Sequence, residues 1–333
     1  MSQTKRELVR AALNGETVDR VPVGFWFHFL SGEDAADAFA EPGLHQQNIE
    51  GHRKFYEEFQ PDFVKLMSDG YFIYPHPAFS TISSVSQFGA IEPLGKNHPW
   101  ILQQVRLVQQ LQEIFADEVY TFYNIFAPAR VLEWSLAGFY QELPGDWIAE
   151  DKAAFKRGLA VIAEDISSLV AAVLSAGGAD GIYFSVQNIA DPRIDQALYQ
   201  DVFAPGEKKI LQSANAVKNN TILHICGYEG HHNDLTWYQS YEAKAVNWAA
   251  VVENISLAEG KQLFPGKTLL GGFGNTTEDL LYYGSEAEIK AETKKILRAA
   301  GKEGIILGAD CTVPRDISLD HLEWVREAAS EVK

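Results

Sequence analysis

Cysteine is almost absent from this chain: there are two, Cys226 and Cys311, in 333 residues. That excludes a fold stapled by several disulfides, and in a reducing compartment even one bridge is not expected. Long hydrophobic runs are missing as well. No stretch of about 18 uninterrupted apolar residues occurs, so no membrane-spanning helix is expected. The opening, MSQTKRELVRAALNGETVDR, lacks the apolar core of a secretion signal, and a cytoplasmic location is the expectation. Positive charge is scarce: 28 Lys and Arg stand against 45 Asp and Glu, a net charge of −17. That balance argues against nucleic acid or an anionic membrane as the main partner. Low-complexity segments, close repeats and long Pro/Gly/Ser linkers are also lacking. The chain therefore reads as one domain over residues 1–333 with an N-terminal helical extension.

What is present is an alternation. Eight apolar, β-branched or aromatic runs fall at 20–27, 62–69, 119–128, 181–186, 221–226, 245–251, 268–273 and 304–310. Helical stretches lie between many of them, such as 153–177 and 285–301, and a last helix fits SLDHLEWVREAASEV with Ser318 as its N-cap. The N-terminal KRELVRAALNG has helical spacing of Leu8, Val9, Ala12 and Leu13, with Gly15 suited to the C-terminal cap. Strands alternating with helices imply a parallel sheet. Eight of them imply closure into a (β/α)8 TIM barrel. The rival is an open doubly wound sheet, which calls for a G-x-G-x-x-G turn after its first strand. The sequence there, GFWFHFLSGEDAAD, has none.

In such barrels chemistry sits at the C-terminal ends of the strands. His224 and Cys226 close the fifth run, Cys311 follows the eighth, and Asp69 ends the second. Residues two apart on a strand share a face, so His224 and Cys226 point the same way. Runs five and eight are not neighbours, so the segment after the eighth must lean inward, a bend that Gly308 and Pro314 would allow. His, Cys and Cys suit Zn2+, and three protein ligands with one open position is a catalytic pattern. The competing reading is three ordinary core residues, since cysteine is among the most buried types and usually inert there. His28, Trp26, Tyr71 and Gln187 are candidates for binding a small molecule at the mouth. Phe25, Phe27 and Phe29, interleaved with Trp26 and His28, are expected mostly in the core. His231 and His232 are expected on the solvated surface; His45, His52, His76, His98 and His321 read as surface or packing residues.

These segments resemble the uroporphyrinogen decarboxylase superfamily, which also holds corrinoid-dependent methyltransferases with a zinc-bound thiol. KRELVRAALNGETVDRVPVGFW is similar to its opening, and FVKLMSDGYFIYP to the segment that holds the decarboxylases' catalytic aspartate, here Asp69. GADGIYFSVQNIAD and LLGGFGNTTEDLLYYGSEAEIKAETKKIL match later segments in character. The resemblance implies the same barrel. The decarboxylase branch carries an arginine-rich R-Q-A-G-R loop after the first strand and a histidine after the last; here these places read FWFHFLSGEDAAD and LGADCTVP. The methyltransferase branch carries His-x-Cys after the fifth strand and Cys after the eighth, as His224, Cys226 and Cys311 do. The resemblance thus implies a zinc-dependent methyltransferase, with a methyl group passing between a corrinoid carried by a partner protein and a thiol or other small molecule. Asp69 would be a pocket base or a group orienting another. Two alternatives remain at this point: a uroporphyrinogen decarboxylase of tetrapyrrole biosynthesis, and a non-catalytic zinc-binding barrel subunit.

Overall fold

A computed structural model of the chain describes residues 2–32, 36–136, 143–228 and 230–332. Seven parallel strands lie side by side in chain order: β1 (Phe63–Leu66), β2 (Tyr120–Phe126), β3 (Gly181–Val186), β4 (Ile222–Ile225), β5 (Ala245–Trp248), β6 (Thr268–Phe273) and β7 (Ile305–Ala309). Each corresponds to one of the expected runs. The strands are short and buried on both faces, as parallel strands under a shell of helices must be.

The first run differs. Segment 20–27 is not a regular strand, yet it fills the eighth place. Val23 bridges Leu307 of β7 in parallel, Gly24 N donates to Leu307 O at 3.0 Å, and Leu307 N donates to Pro22 O at 2.9 Å. On its other side, Asp62 N donates to Val23 O at 3.1 Å. Pro22 has no N–H, so a full ladder cannot form there. The two sides also approach closely at this seam. A Cβ on Gly24 would meet the Phe63 ring at 2.3 Å, and one on Gly308 would meet Gly24 O at 2.8 Å. Gly308 therefore makes room for the seam and is not the source of the bend after β7. The fold is a (β/α)8 barrel of seven laddered strands and one bridged segment.

The N-terminal helix Lys5–Leu13 closes the bottom of the barrel. Its capping box at Thr4 and Glu7 fixes its start. Its apolar face, Leu8, Val9, Ala12 and Leu13, packs against the inward row Phe63, Phe122, Ile222, Ala245, Leu270 and Ile306. Thr268 Oγ1 donates to Ala12 O at 2.8 Å, tying helix to sheet.

Among the described residues one helical segment, Leu143–Ser175, kinked at Asp151, contains a stretch long and apolar enough to cross a membrane, although no uninterrupted apolar run reaches that length. It is a packing helix. Ile162, Ile166, Leu169, Val170 and Val173 are buried in the main core. Asp165, also buried, accepts from Leu94 N at 2.8 Å and Gly95 N at 3.0 Å, so its charge is satisfied inside the protein.

Candidate functional site

The inward row above the plug becomes polar. His224 of β4 is paired in register with Ser185 of β3 and Asn247 of β5. Cys226 lies two residues beyond His224, on the same face. Cys311 joins them because the chain turns in after β7. The Asp310 carboxylate accepts from Val251 N at 2.8 Å, which pins that turn against the end of β5. The ligand-type atoms of His224, Cys226 and Cys311 all lie within 4.8 Å of one another.

The histidine's tautomer is set by its surroundings. Asn247 Nδ2 donates to Leu270 O at 2.9 Å and to Ala309 O at 3.2 Å, so its amide can face only one way. Its Oδ1 must then accept, from Tyr183 OH at 2.6 Å and from His224 Nδ1. The proton of His224 therefore sits on Nδ1, and Nε2 keeps its lone pair. Nε2 is buried with no hydrogen-bond partner in the protein. A buried acceptor left without a partner costs on the order of 1–3 kcal/mol. Beside two thiols, it is a donor set suited to a soft or borderline metal ion.

The close approach of the two thiols pushes Cys226 well above the ordinary thiol range and holds Cys311 well below it. Lys65 of β1 projects to the same place. It is 5% exposed and lies over two rings, 4.1 Å from the centroid of Tyr183 and 5.3 Å from that of Trp26. Burial pulls its ammonium down to about 8, and the two cysteines work against that fall.

A cavity of about 260 Å³ opens above this group. His224, Cys226, Cys311 and Lys65 form one side of it, and Phe72, Phe126, Trp134 and Arg130 another. His28 and Gln187 line it too. Trp26 and Tyr71, expected to bind a ligand, do not. Trp26 is packed in the barrel interior against Phe63 and Tyr183, because it lies two residues before His28 and so one layer deeper, towards the plug. Tyr71 is buried in the core, its hydroxyl held by His45 Nδ1 at 2.6 Å. Asp69 is fully buried and does not line the cavity. Its carboxylate is spent on the protein, meeting His28 Nδ1 at 2.9 Å and accepting from Phe29 N at 2.6 Å. It orients His28, whose Nε2 lies 3.5 Å from Thr312 Oγ1.

The remaining histidines are structural, with one correction. His231 is not a solvated surface residue: it is buried, stacked on Tyr228 with centroids 5.2 Å apart. His232 is exposed and lies 3.4 Å from Glu253. His52 is buried in packing, and burial lowers it to about 4. In the loop after the first run, Glu33 and Asp34 lie outside the described residues. Two arginines reach the mouth region from elsewhere: Arg130 in the cavity wall, and Arg315, which donates to Ser31 Oγ at 3.2 Å.

Sequence reasoning missed Lys65, Asn247, Tyr183 and Glu207. The first two carried a usable signal. Lys65 in FVKLMSD and Asn247 in AVNWAAV are polar residues inside runs that must be buried on both faces, where an unpaired polar group is costly. Glu207 sits in a helix and gave no such signal. It is buried, reaches the cavity, and accepts from Tyr199 OH at 2.8 Å and from Tyr241 OH.

Fold and site together define an α/β barrel with a His–Cys–Cys group at the C-terminal mouth that could hold a metal ion. Residues 64–332 match the sequence model of the uroporphyrinogen decarboxylase (URO-D) family, and the chain belongs to that family. Among solved structures it is similar to a methyltransferase from Methanosarcina mazei, with TM-score 0.69, 17% identity and 98% of each chain covered. It is also similar to a putative vitamin-B12 independent methionine synthase from Listeria monocytogenes, with TM-score 0.57, 15% identity, and 92% of this chain and 96% of that one covered. A β-mannanase from the blue mussel Mytilus edulis aligns at TM-score 0.50 and 10% identity, over 93% of this chain and 91% of the other. Likeness at such identities shows the barrel alone. Among curated proteins no relative matches the sequence.

Proposed function

We propose that this member of the URO-D family is a zinc-dependent methyltransferase that moves a methyl group between a corrinoid held by a partner protein and a thiol or other small molecule. The observation that carries the reading is the donor set: a histidine whose free nitrogen is fixed by Asn247, beside two thiols at the mouth of the barrel. Zn2+ held by His224, Cys226 and Cys311 would supply a Lewis acid that favours the ionised form of a bound thiol or hydroxyl. The rest is done by the chain. Asn247 and Tyr183 orient His224, Phe72, Phe126 and Trp134 exclude water, and Gln187 and His28 offer polar contacts to a bound molecule. Asp69 acts through His28 as a positioning residue. The barrel shared with a methyltransferase from Methanosarcina mazei makes the fold compatible with the reading.

Two features weigh against tetrapyrrole decarboxylation. Asp69 has no carboxylate oxygen turned to the cavity. The cavity volume, about 260 Å³, is less than twice the roughly 150 Å³ that holds a single benzene ring, whereas a tetrapyrrole has four rings.

The test is elemental analysis of the purified protein and three variants. Wild type and Asp69→Ala are expected to carry about one zinc per chain, and Cys226→Ser and Cys311→Ser to lose most of it. Equal zinc in all four would remove the site. Loss of zinc from Asp69→Ala would make Asp69 a ligand. Chelation is expected to leave the far-UV circular dichroism intact, because a barrel of this size does not depend on a metal for its core.

A further inference from the structure

The two thiols meet although their strands do not. Cys226 follows β4 and Cys311 follows β7, with β5 and β6 between those strands. Both cysteines lie past the ends of their strands, so something other than the ladder must place them. Cys226 N donates to Val186 O at 2.8 Å, and its carbonyl is met by a side chain: Asn233 Nδ2 donates to Cys226 O at 2.7 Å. Asn233 is buried and engaged on every side. Its Oδ1 accepts from Asn188 N at 2.7 Å, while its N and Nδ2 both donate to Glu253 Oε1, at 2.9 and 3.0 Å. These contacts settle its amide, with the oxygen towards Asn188 and the nitrogen towards Cys226 and Glu253. The Glu253 side chain is 3% exposed, and its second oxygen lies 3.4 Å from Nδ1 of the exposed His232.

Glu253 belongs to a compact turn, residues 249–254, that follows β5. Glu253 N donates to Ala249 O at 2.8 Å and Asn254 N to Val251 O at 3.3 Å, and Asn254 takes the left-handed φ of 53°. The same turn reaches the other cysteine, because Val251 N donates to the carboxylate of Asp310, one residue before Cys311. One turn therefore grips both thiol-bearing segments, through a carboxylate on Asn233 and a backbone amide on Asp310. The fit is close: a Cβ on Gly227, directly after Cys226, would meet Glu253 Oε1 at 2.5 Å and Asn233 Nδ2 at 3.1 Å. An apolar residue at 253 would serve packing alone, since a carboxylate taken out of water is costly unless hydrogen bonds satisfy it. Here the bonds that satisfy it run through Asn233 to Cys226.

We infer that the turn 249–254 is the positioning element of the thiol pair. Glu253, acting through Asn233, fixes Cys226; the Val251 amide, acting through Asp310, fixes Cys311; the turn thereby sets the spacing of two sulfurs carried by strands that are not neighbours. As a statement about a bound metal, this rests on the zinc reading; as a statement about thiol spacing, it does not.

Three variants separate a hydrogen-bonded clamp from packing and from charge. Asn233→Asp keeps the shape but turns an acceptor towards Cys226 O. Glu253→Leu removes the acceptor for Asn233, and Glu253→Gln keeps an acceptor while removing the charge. The first two are expected to weaken zinc by about 10–100-fold in competition with a chromophoric chelator, and Glu253→Gln by less than about threefold. In Co2+-loaded protein the near-ultraviolet thiolate-to-cobalt absorption should fall in the first two and persist in the third, a signature that a loss of overall stability would not produce. A metal-free arm uses phenylarsine oxide, which bridges two nearby thiols: PhAsO and 2 RSH give PhAs(SR)2 and water. Wild type should take it up, and Asn233→Asp should bind it at least about tenfold more weakly. Unchanged zinc affinity in folded Asn233→Asp, or a loss in Glu253→Gln as large as that in Glu253→Leu, would overturn the inference and leave the metal site standing. Wild type that takes up the arsenical but no zinc, with Asn233→Asp weakened, supports the inference and overturns the zinc mechanism. Wild type that takes up neither overturns both. Should Glu253→Leu fail to fold, the two isosteric variants still decide the matter.

Discussion

Asn247 makes four hydrogen bonds, two donated to backbone carbonyls and two accepted, and thereby decides which nitrogen of His224 is free. Replacing it with leucine removes the acceptor for the Nδ1 proton and leaves the imidazole free to rotate or change tautomer. Partners of this kind are worth about 10–100-fold in metal affinity, so Asn247→Leu should weaken zinc by that factor, measured by competition with a chromophoric chelator. An unchanged affinity would mean that packing against Tyr183 alone holds the ring. The meeting of His224, Cys226 and Cys311 was legible in the sequence because strand parity and the C-terminal rule act on residue number alone. Its supports were harder to read. Asn247 and Lys65 show in the sequence only as misfits in apolar runs; which misfit faces which ligand depends on register between strands, which the sequence does not display. Asp69 was expected to end its run, but β1 stops at Leu66, three residues earlier, and the aim of Asp69 at His28 depends on the seam segment lying next to β1.

At the scale of elements, two features carry measurable energy. The first is the plug. Leu8 of the N-terminal helix is 3% exposed. Leu8→Ala is expected to cost about 2–5 kcal/mol in denaturant unfolding with zinc content unchanged, since the plug lies at the other end of the barrel. A cost below about 1 kcal/mol would show that the helix docks loosely. The second is the acid–tyrosine cluster that the helix Ala204–Val217 makes with Tyr199 and Tyr241. Burial raises Glu207 from 4.5 to about 7, against the pull of the two hydroxyls. Between those values the folded chain holds a proton that the unfolded chain has released, so stability falls as pH rises through that window. A displacement of that size corresponds to about 3 kcal/mol. Urea midpoints of wild type and Glu207→Gln at pH 5 and pH 8 should therefore diverge in the variant's favour at the higher pH. Parallel behaviour would mean that Glu207 is ionised in the fold throughout.

Across the whole molecule, seven of the eight runs became strands close to their expected bounds, because alternation and apolarity are local properties. The first run, 20–27, did not, and Pro22 gives the physical reason. That seam has a kinetic consequence. Each of the seven strands pairs with its chain neighbour, so the sheet can grow by successive short closures, whereas the contact between Val23 and Leu307 spans most of the polypeptide. Contacts so distant in sequence form late, after the local ones have reduced the entropy of bringing them together. In pulsed hydrogen-exchange refolding, the amides of Gly24 and Leu307 should gain protection last, and early protection there would contradict a sequential path. Cys311 follows β7 by two residues, and His28 follows the seam segment itself. Cys311 reaches its place when β7 joins the sheet and Asp310 meets Val251, whereas His28 meets Asp69 only when the ring closes. The final event of folding would thus complete the mouth of the barrel around a pair of thiols already brought together.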